Sequence, residues 1–74
     1  MSENFELEIG FDTTVSGVEA THAATARWRQ AVQRAGKEPV GALSLRIPTS
    51  EGLERIGQFS VIVSGEVVDA GGDQ

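Results

Sequence analysis

The sequence predicts a small α+β domain in the order β-α-β-β, with a three-stranded antiparallel sheet packed on one helix. Three segments alternate apolar and polar residues in the same phase, as strands with one solvated face require. An alanine-rich segment between the first two has the spacing of a helix buried on one side. The chain has 74 residues, which is the length of a single small domain.

The first strand is predicted over residues 5–13, and the chain then reaches a helix start at Ser16. Ser16-Gly17-Val18-Glu19 matches a capping box, in which Ser16 accepts from the Glu19 amide and Glu19 reaches back to the Ser16 amide. The apolar side of this strand is predicted to consist of Phe5, Leu7, Ile9 and Phe11.

The helix is predicted over residues 17–35, with Gly36 as its C-terminal stop. Trp28 lies mid-helix among alanines, so we expect it to fill core volume. Basic residues gather toward the C-terminal end, where they complement the helix dipole; anion binding is the alternative. They are Arg27, Arg29, Arg34 and Lys37. The side predicted to be buried carries Ala20, Ala24, Trp28, Ala31, Val32 and Ala35.

The second strand is predicted over residues 40–47, because Pro39 favours an extended connection before it. Residues 48–52 have turn composition. The third strand is expected to begin near Leu53, with its regular part from Gln58. We expect one domain over residues 1–69 and a disordered C-terminal tail over residues 70–74.

The predicted topology places the third strand at the centre of the sheet. A helical crossover brings strand two parallel to strand one, and a hairpin makes strand three antiparallel to strand two. Strand three then fits between the others, in the order 1-3-2. One helix covers one face, so the other is either solvated or an interface. This open face is predicted to carry Glu6, Glu8, Gly10, Ser44, Arg46, Gln58, Ser60, Ile62, Ser64 and Glu66.

Composition narrows the classes of partner. The net charge of −5 argues against nucleic acid and against anionic membranes. No apolar run approaches the roughly 18 residues of a membrane span. With no cysteine and one histidine, we expect no disulfide and no metal site. Homo-oligomerisation is the remaining way to stabilise so small a domain, and we expect a cytoplasmic protein.

No catalytic motif is evident, so we expect that the protein is not an enzyme. His22 is the side chain that titrates near neutrality, and Glu19 lies three residues before it. Such a helical pair is more typical of a surface contact than of a catalytic dyad. The sequence contains no nucleophile motif or phosphate-binding loop.

Residues of the helix and of the third strand resemble those of the dodecins. The resemblance covers about residues 5–67. It is carried by Thr13, Ser16, Ala20, Ala24 and Arg27, and by Gln58, Phe59, Ser60, Val61, Ile62 and Val63. Dodecins are small β-α-β-β proteins whose curved antiparallel sheet wraps one helix, and they assemble as hollow dodecamers that commonly bind flavins.

The resemblance implies a homo-oligomer that binds or stores a flat cofactor, such as riboflavin, FMN or FAD. Gln58 matches the family glutamine that hydrogen-bonds the flavin. The family tryptophan that stacks on the flavin has no aromatic counterpart in Lys37-Glu38-Pro39-Val40. The cofactor-binding residues are therefore expected to be Gln58, Ser60, Ile62 and Arg46, on the open face.

The alternative function is a non-enzymatic protein-binding or self-assembly module with no small-molecule ligand. Exposed edges of strands one and two would pair with other copies of the chain. Glu6 or Glu8 facing Arg46 of a neighbouring copy would then help to set the register.

Overall fold

The predicted order of elements and of strands is confirmed. A computed structural model describes residues 2–48 and 56–70. The elements are β1 (Glu3–Asp12), α1 (Gly17–Arg34), β2 (Lys37–Arg46) and β3 (Gln58–Asp69). The strands form one antiparallel sheet in the order β1-β3-β2. In the described part of the chain, no helix is both long and apolar enough to cross a bilayer.

The register of the sheet puts apolar residues of all three strands in rows facing α1. Val63 of β3 lies between Leu7 of β1 and Leu45 of β2. Ile9 likewise lies opposite Val61. Successive strand residues point to opposite faces, so the neighbouring even-numbered residues of β3 point away from the helix. This division into a helix side and an open face is the one that the sequence pattern predicts.

The core forms where α1 crosses β3. Small alanines on the helix let it lie close to the sheet, and Trp28 fills the remaining space. Trp28 is fully buried, which confirms its predicted role in packing. The buried apolar residues are Ile9, Ala20, Ala24, Trp28, Val32, Val61, Val63 and Val67.

Both ends of α1 follow from local chemistry. The Ser16 hydroxyl accepts a 3.1 Å hydrogen bond from the Glu19 amide, as the capping box predicts. The reciprocal part of that prediction is wrong, because the Glu19 carboxylate instead accepts from the Ser16 hydroxyl at 3.3 Å. Ala35 caps the C-terminus, and Gly36 follows with φ of +73°, a conformation that favours glycine.

β1 and β2 both begin earlier than predicted, β1 at Glu3 rather than Phe5, whereas regular β3 begins where it was predicted. β2 begins at Lys37 rather than Val40, because Pro39 lies in an edge strand that tolerates the missing N–H. Regular β3 begins at Gln58, after a turn at Ile56 and Gly57. The predicted start near Leu53 and the predicted tail beyond Ala70 lie outside the described residues.

A bulge bends β2 over the core. Gly41, Ala42 and Leu43 together lie opposite the single residue Gly65 of β3, so β2 has two more residues here than its partner. Gly41 has φ of +80°, which a residue with a side chain rarely adopts. A Cβ atom added to Gly65 would lie 2.6 Å from Leu43 Cδ2 and 3.3 Å from Trp28 Cζ2. The bulge therefore lets Leu43 and Trp28 share the space above a glycine.

Candidate functional site

The predicted site residues on β3 lie in one row on the open face. Gln58, Ser60 and Ile62 alternate with residues that face the helix, and they span about 13 Å at the usual rise of a strand. Arg46 of β2 lies directly opposite Ile62. The fold thus brings the four predicted residues into one continuous surface.

Small residues beside this row make the open face shallow. Gly10 of β1 lies opposite Ser60, and Ser44 of β2 lies opposite Ser64. The nearest atom to a Cβ added at Gly10 would be the Phe59 carbonyl oxygen, at 4.0 Å. The surface next to Ser60 therefore has room for a ligand atom that a larger side chain at Gly10 would take.

Ser60 is the most unusual residue of this face. It is only 3% exposed, and among the described residues its Oγ atom has no hydrogen-bond partner. Leaving a buried hydroxyl unpaired costs about 1–3 kcal/mol, and buried polar groups are generally paired in native proteins. This Oγ atom is closed off from solvent, so a bound molecule would pair with it only after the groups that cover it move.

Charged residues flank Ile62 on both sides. Glu8 lies opposite it on β1 and Arg46 on β2. Arg46 Nη2 lies 3.4 Å from Glu6 Oε2 within the same chain, whereas the sequence suggested such a pair between copies. Both side chains are largely exposed, and pairs of this kind contribute about 0–1 kcal/mol. Arg46 can therefore turn toward an anionic ligand at little cost.

Gln58 lies at the end of the row, opposite Asp12. The Asp12 carboxylate accepts a 2.8 Å hydrogen bond from the Thr14 amide, and this bond lowers the pKa of Asp12. Asp12 therefore serves the turn between β1 and α1. Gln58 is exposed, so its amide is placed to contact a molecule that lies along the open face.

In the described part of the chain, no aromatic side chain lies on this surface to stack on a flat ring. Trp28 is fully buried on the opposite side of the sheet, and its indole nitrogen donates to the Phe5 carbonyl at 2.9 Å. Ile62, half-buried at the centre of the row, is the apolar surface that a ring would contact.

A second concave surface, which sequence reasoning missed, lies between α1 and β2. This groove has a volume of about 460 Å³. It exists because one helix over the central strand leaves part of β2 uncovered. The sequence did carry a signal for this groove: all three strands have apolar residues on the helix side, and the chain has a single predicted helix to cover them. The groove is lined by Thr21, His22, Thr25, Ala26, Arg29 and Leu45.

The basic residues predicted to gather toward the end of the helix do not share one set of contacts, since Lys37 and Arg27 have different partners. Lys37 belongs to β2, and its Nζ lies 2.5 Å from Glu3 Oε1 and 2.6 Å from Asp69 Oδ1. These contacts raise the pKa of Lys37 and lower that of Asp69. The lysine therefore ties together one end of all three strands. Arg27 lies over the Phe11 ring, 5.8 Å from its centroid.

Comparisons of the chain with protein-family models, with curated proteins and with solved structures found no match. Within residues 2–48 and 56–70, no three histidine or carboxylate side chains are grouped so that they could hold a metal ion.

Proposed function

We propose that this chain is a small, dodecin-like, oligomer-forming protein that binds or stores a flat cofactor such as a flavin. The supporting observation is Ser60 of the open face, whose buried Oγ has no hydrogen-bond partner among the described residues. The β-α-β-β order and the 1-3-2 sheet match the architecture that the dodecin resemblance implies. The proposed role is binding rather than catalysis.

The proposed ligand lies flat along β3. The Ser60 hydroxyl and the Gln58 amide hydrogen-bond the polar edge of the ring, and Ile62 contacts its apolar part. Arg46, beside Ile62, then interacts with a phosphate group. We therefore expect FMN and FAD to bind more tightly than riboflavin, with a difference that decreases as salt screens the charge.

Assembly completes this site. One strand face contacts one side of a ring, whereas ligand sites generally bury 70–90% of the ligand surface. Without a stacking aromatic residue, the second side of the ring needs cover from another copy of the chain. Cofactor binding and oligomer formation are therefore coupled in this proposal.

The test combines native mass spectrometry with titration of flavin fluorescence. The protein is purified without denaturation and then titrated into riboflavin, FMN and FAD. We expect a mass of several chains and quenching of the flavin emission. A mass of one chain at all concentrations, with unchanged emission, would contradict the proposal.

Two variants locate the binding surface. Ile62→Lys places a charge where the ring is expected and should abolish quenching. Ser60→Ala removes one hydrogen bond and should weaken binding by up to about tenfold. Val18→Lys is the matched control, because Val18 is 67% exposed on the helix. If Ile62→Lys and Val18→Lys bind the flavins with equal affinity, the open face is not the binding surface.

The second candidate is a self-assembly module with no small-molecule ligand. It is favoured by apolar side chains at the β2 edge, where Leu45 is 40% exposed and Ile47 is 52% exposed. This candidate predicts a mass of several chains together with unchanged flavin emission. The same two measurements therefore separate the candidates.

A further inference from the structure

The two edges of the sheet differ in how well they are protected against pairing with another strand. β3 is central, so β1 and β2 each have one neighbouring strand in the described sheet. An unpaired strand edge presents backbone N–H and C=O groups that another chain can bind. Proteins protect such edges with charges, proline or bulges. The residues of each edge indicate where a strand of another chain can pair with the sheet.

Charge protects the edge formed by β1. Four carboxylates are distributed along its ten residues, and the chain carries a net charge of −5. A second β1 placed alongside would bring these carboxylates close to one another, and like charges across a strand pair are destabilising. The four are Glu3, Glu6, Glu8 and Asp12.

The first half of β2 is also protected. It contains Lys37 and Glu38, then Pro39, which cannot donate a backbone hydrogen bond. The bulge at Gly41 interrupts the ladder directly afterwards. The charged, proline-containing and bulged part of β2 thus ends at Leu43, and regular pairing resumes at Ser44.

The second half of β2 lacks these features. Residues 43–47 carry one charge, on Arg46, and their side chains toward the helix are apolar. Leu45 is 40% exposed although it lies on the helix side of the sheet, and Ile47, directly after the strand, is 52% exposed. This segment is therefore an apolar strand edge without a protecting charge pattern.

We propose that a second copy of this chain pairs antiparallel with residues 43–47, which are the last four residues of β2 and Ile47 directly after it, about a two-fold axis at Leu45. This proposal rests on the oligomer formation already proposed and names a further contact, because pairing at a sheet edge leaves the open face free for the copy that would cover a ligand. Leu45 lies opposite Leu45 of the second copy, and Leu43 lies opposite its Ile47. On the other face, Ser44 lies opposite Arg46. The register thus joins apolar with apolar residues and opposes no like charges, and two sheets of three strands become one continuous sheet.

The groove beside Leu45 is a second reason to expect another copy of the chain at this edge. It lies between α1 and β2, on the side to which Leu45 points. A strand added at the outer edge of β2 would place its own helix-side residues beside this groove. Ala26 provides apolar surface there, and Leu45 of the second copy would contact it.

A single-cysteine variant tests the two-fold axis directly. The natural chain has no cysteine, so Leu45→Cys introduces one thiol. Residues directly opposite in an antiparallel pair have Cα atoms about 4.5–5.5 Å apart, within the roughly 4.4–6.8 Å range of disulfides. We expect oxidised glutathione to convert most of this variant to a covalent dimer. Val18→Cys on the helix and Glu8→Cys on β1 are the controls, and they should cross-link at least tenfold more slowly.

The outcomes separate this contact from the proposed function. A mass of several chains, with Leu45→Cys cross-linking no faster than Val18→Cys, would overturn the two-fold pairing while cofactor binding stands. Rapid cross-linking with unchanged flavin emission would support the pairing and contradict the cofactor. As a second measurement, Leu45→Glu should lower the assembled fraction at least tenfold at micromolar concentration, and an unchanged mass for this variant would also overturn the pairing.

Discussion

The indole nitrogen of Trp28 donates a 2.9 Å hydrogen bond to the backbone carbonyl of Phe5. The two rings also meet edge to face, with centroids 6.1 Å apart and an interplanar angle of 83°. Trp28 of α1 thus hydrogen-bonds the backbone of Phe5 in β1 and also packs on the Phe5 ring. These two contacts hold the helix in position over the sheet.

Trp28→Phe should destabilise the protein by about 2 kcal/mol, because it removes the hydrogen bond and leaves unfilled volume. Urea unfolding followed by far-UV circular dichroism measures the change, since the variant has no tryptophan. Phe5→Leu is the control, because it keeps the carbonyl acceptor and should cost about 1 kcal/mol. Equal stability of Trp28→Phe and the natural chain would mean that the indole contact is not needed.

Gly65→Ala should destabilise the protein by about 1–2 kcal/mol through overpacking. The new Cβ would lie 2.6 Å from Leu43 Cδ2, and Trp28 lies behind it at 3.3 Å, so Leu43 must move. Adding Leu43→Ala should relieve this cost, so in a double-mutant cycle the two changes together should destabilise less than the sum of their separate effects. Gly17→Ala is the control, because its Cβ would meet nothing within 4 Å. Additive effects in the cycle would contradict the close approach.

Ser60→Ala should stabilise the ligand-free protein by about 1 kcal/mol, since it removes a buried hydroxyl that has no partner in the described structure. Thermal unfolding at a fixed protein concentration measures this effect. Ser64→Ala, half-buried on the same face, should change stability by less than about 0.5 kcal/mol. A clear loss of stability in Ser60→Ala would show that the hydroxyl is satisfied.

The contacts of Lys37 should make stability depend on pH at both extremes. The pKa of Asp69 is lowered from its ordinary 3.8, so its contribution is present above that pH and is lost as pH falls through the lower folded value. The pKa of Lys37 is raised from 10.5, so its contribution is present below pH 10.5 and is lost as pH rises through the higher folded value.

The Tm difference between the natural chain and Lys37→Met should therefore be constant from about pH 4 to pH 10 and should shrink outside that window. Lys37→Arg keeps the charge and should retain most of the difference. Because the groups are exposed, 1 M salt should reduce it. A difference that is the same at pH 2 and pH 7 would contradict this role.

Local chemistry made much of the fold predictable. Ser16 and Gly36 define the helix ends through capping and a left-handed backbone, which depend on adjacent residues only. The period of two in β3 was decisive because its Val61 and Val63 are buried and its open-face neighbours are mostly polar. Pro39 misled the prediction of the β2 start, since its tolerance depends on whether the strand lies at an edge.

The features of the site that depend on register were not predictable. Ser60 is buried opposite Gly10, and its hydroxyl has no partner in residues 2–48 and 56–70; finding this requires knowing which residues of β1 and β3 are partners. The Arg46 to Glu6 pair likewise joins the two outer strands across β3. Such contacts join residues far apart in the chain, and short-range patterns do not specify them.

The bulge of β2 also limits how the length of this chain can vary. Because Gly41, Ala42 and Leu43 lie opposite one residue, Lys37 keeps the same sheet side as Leu45 across the interruption. Deleting one residue here would leave two residues opposite Gly65, which is the common form of a bulge, and Lys37 would keep its carboxylates. Deleting two would leave a ladder without a bulge. In relatives of this chain, losses of up to two residues at this point should therefore keep the pairing of Lys37, and a larger loss should not.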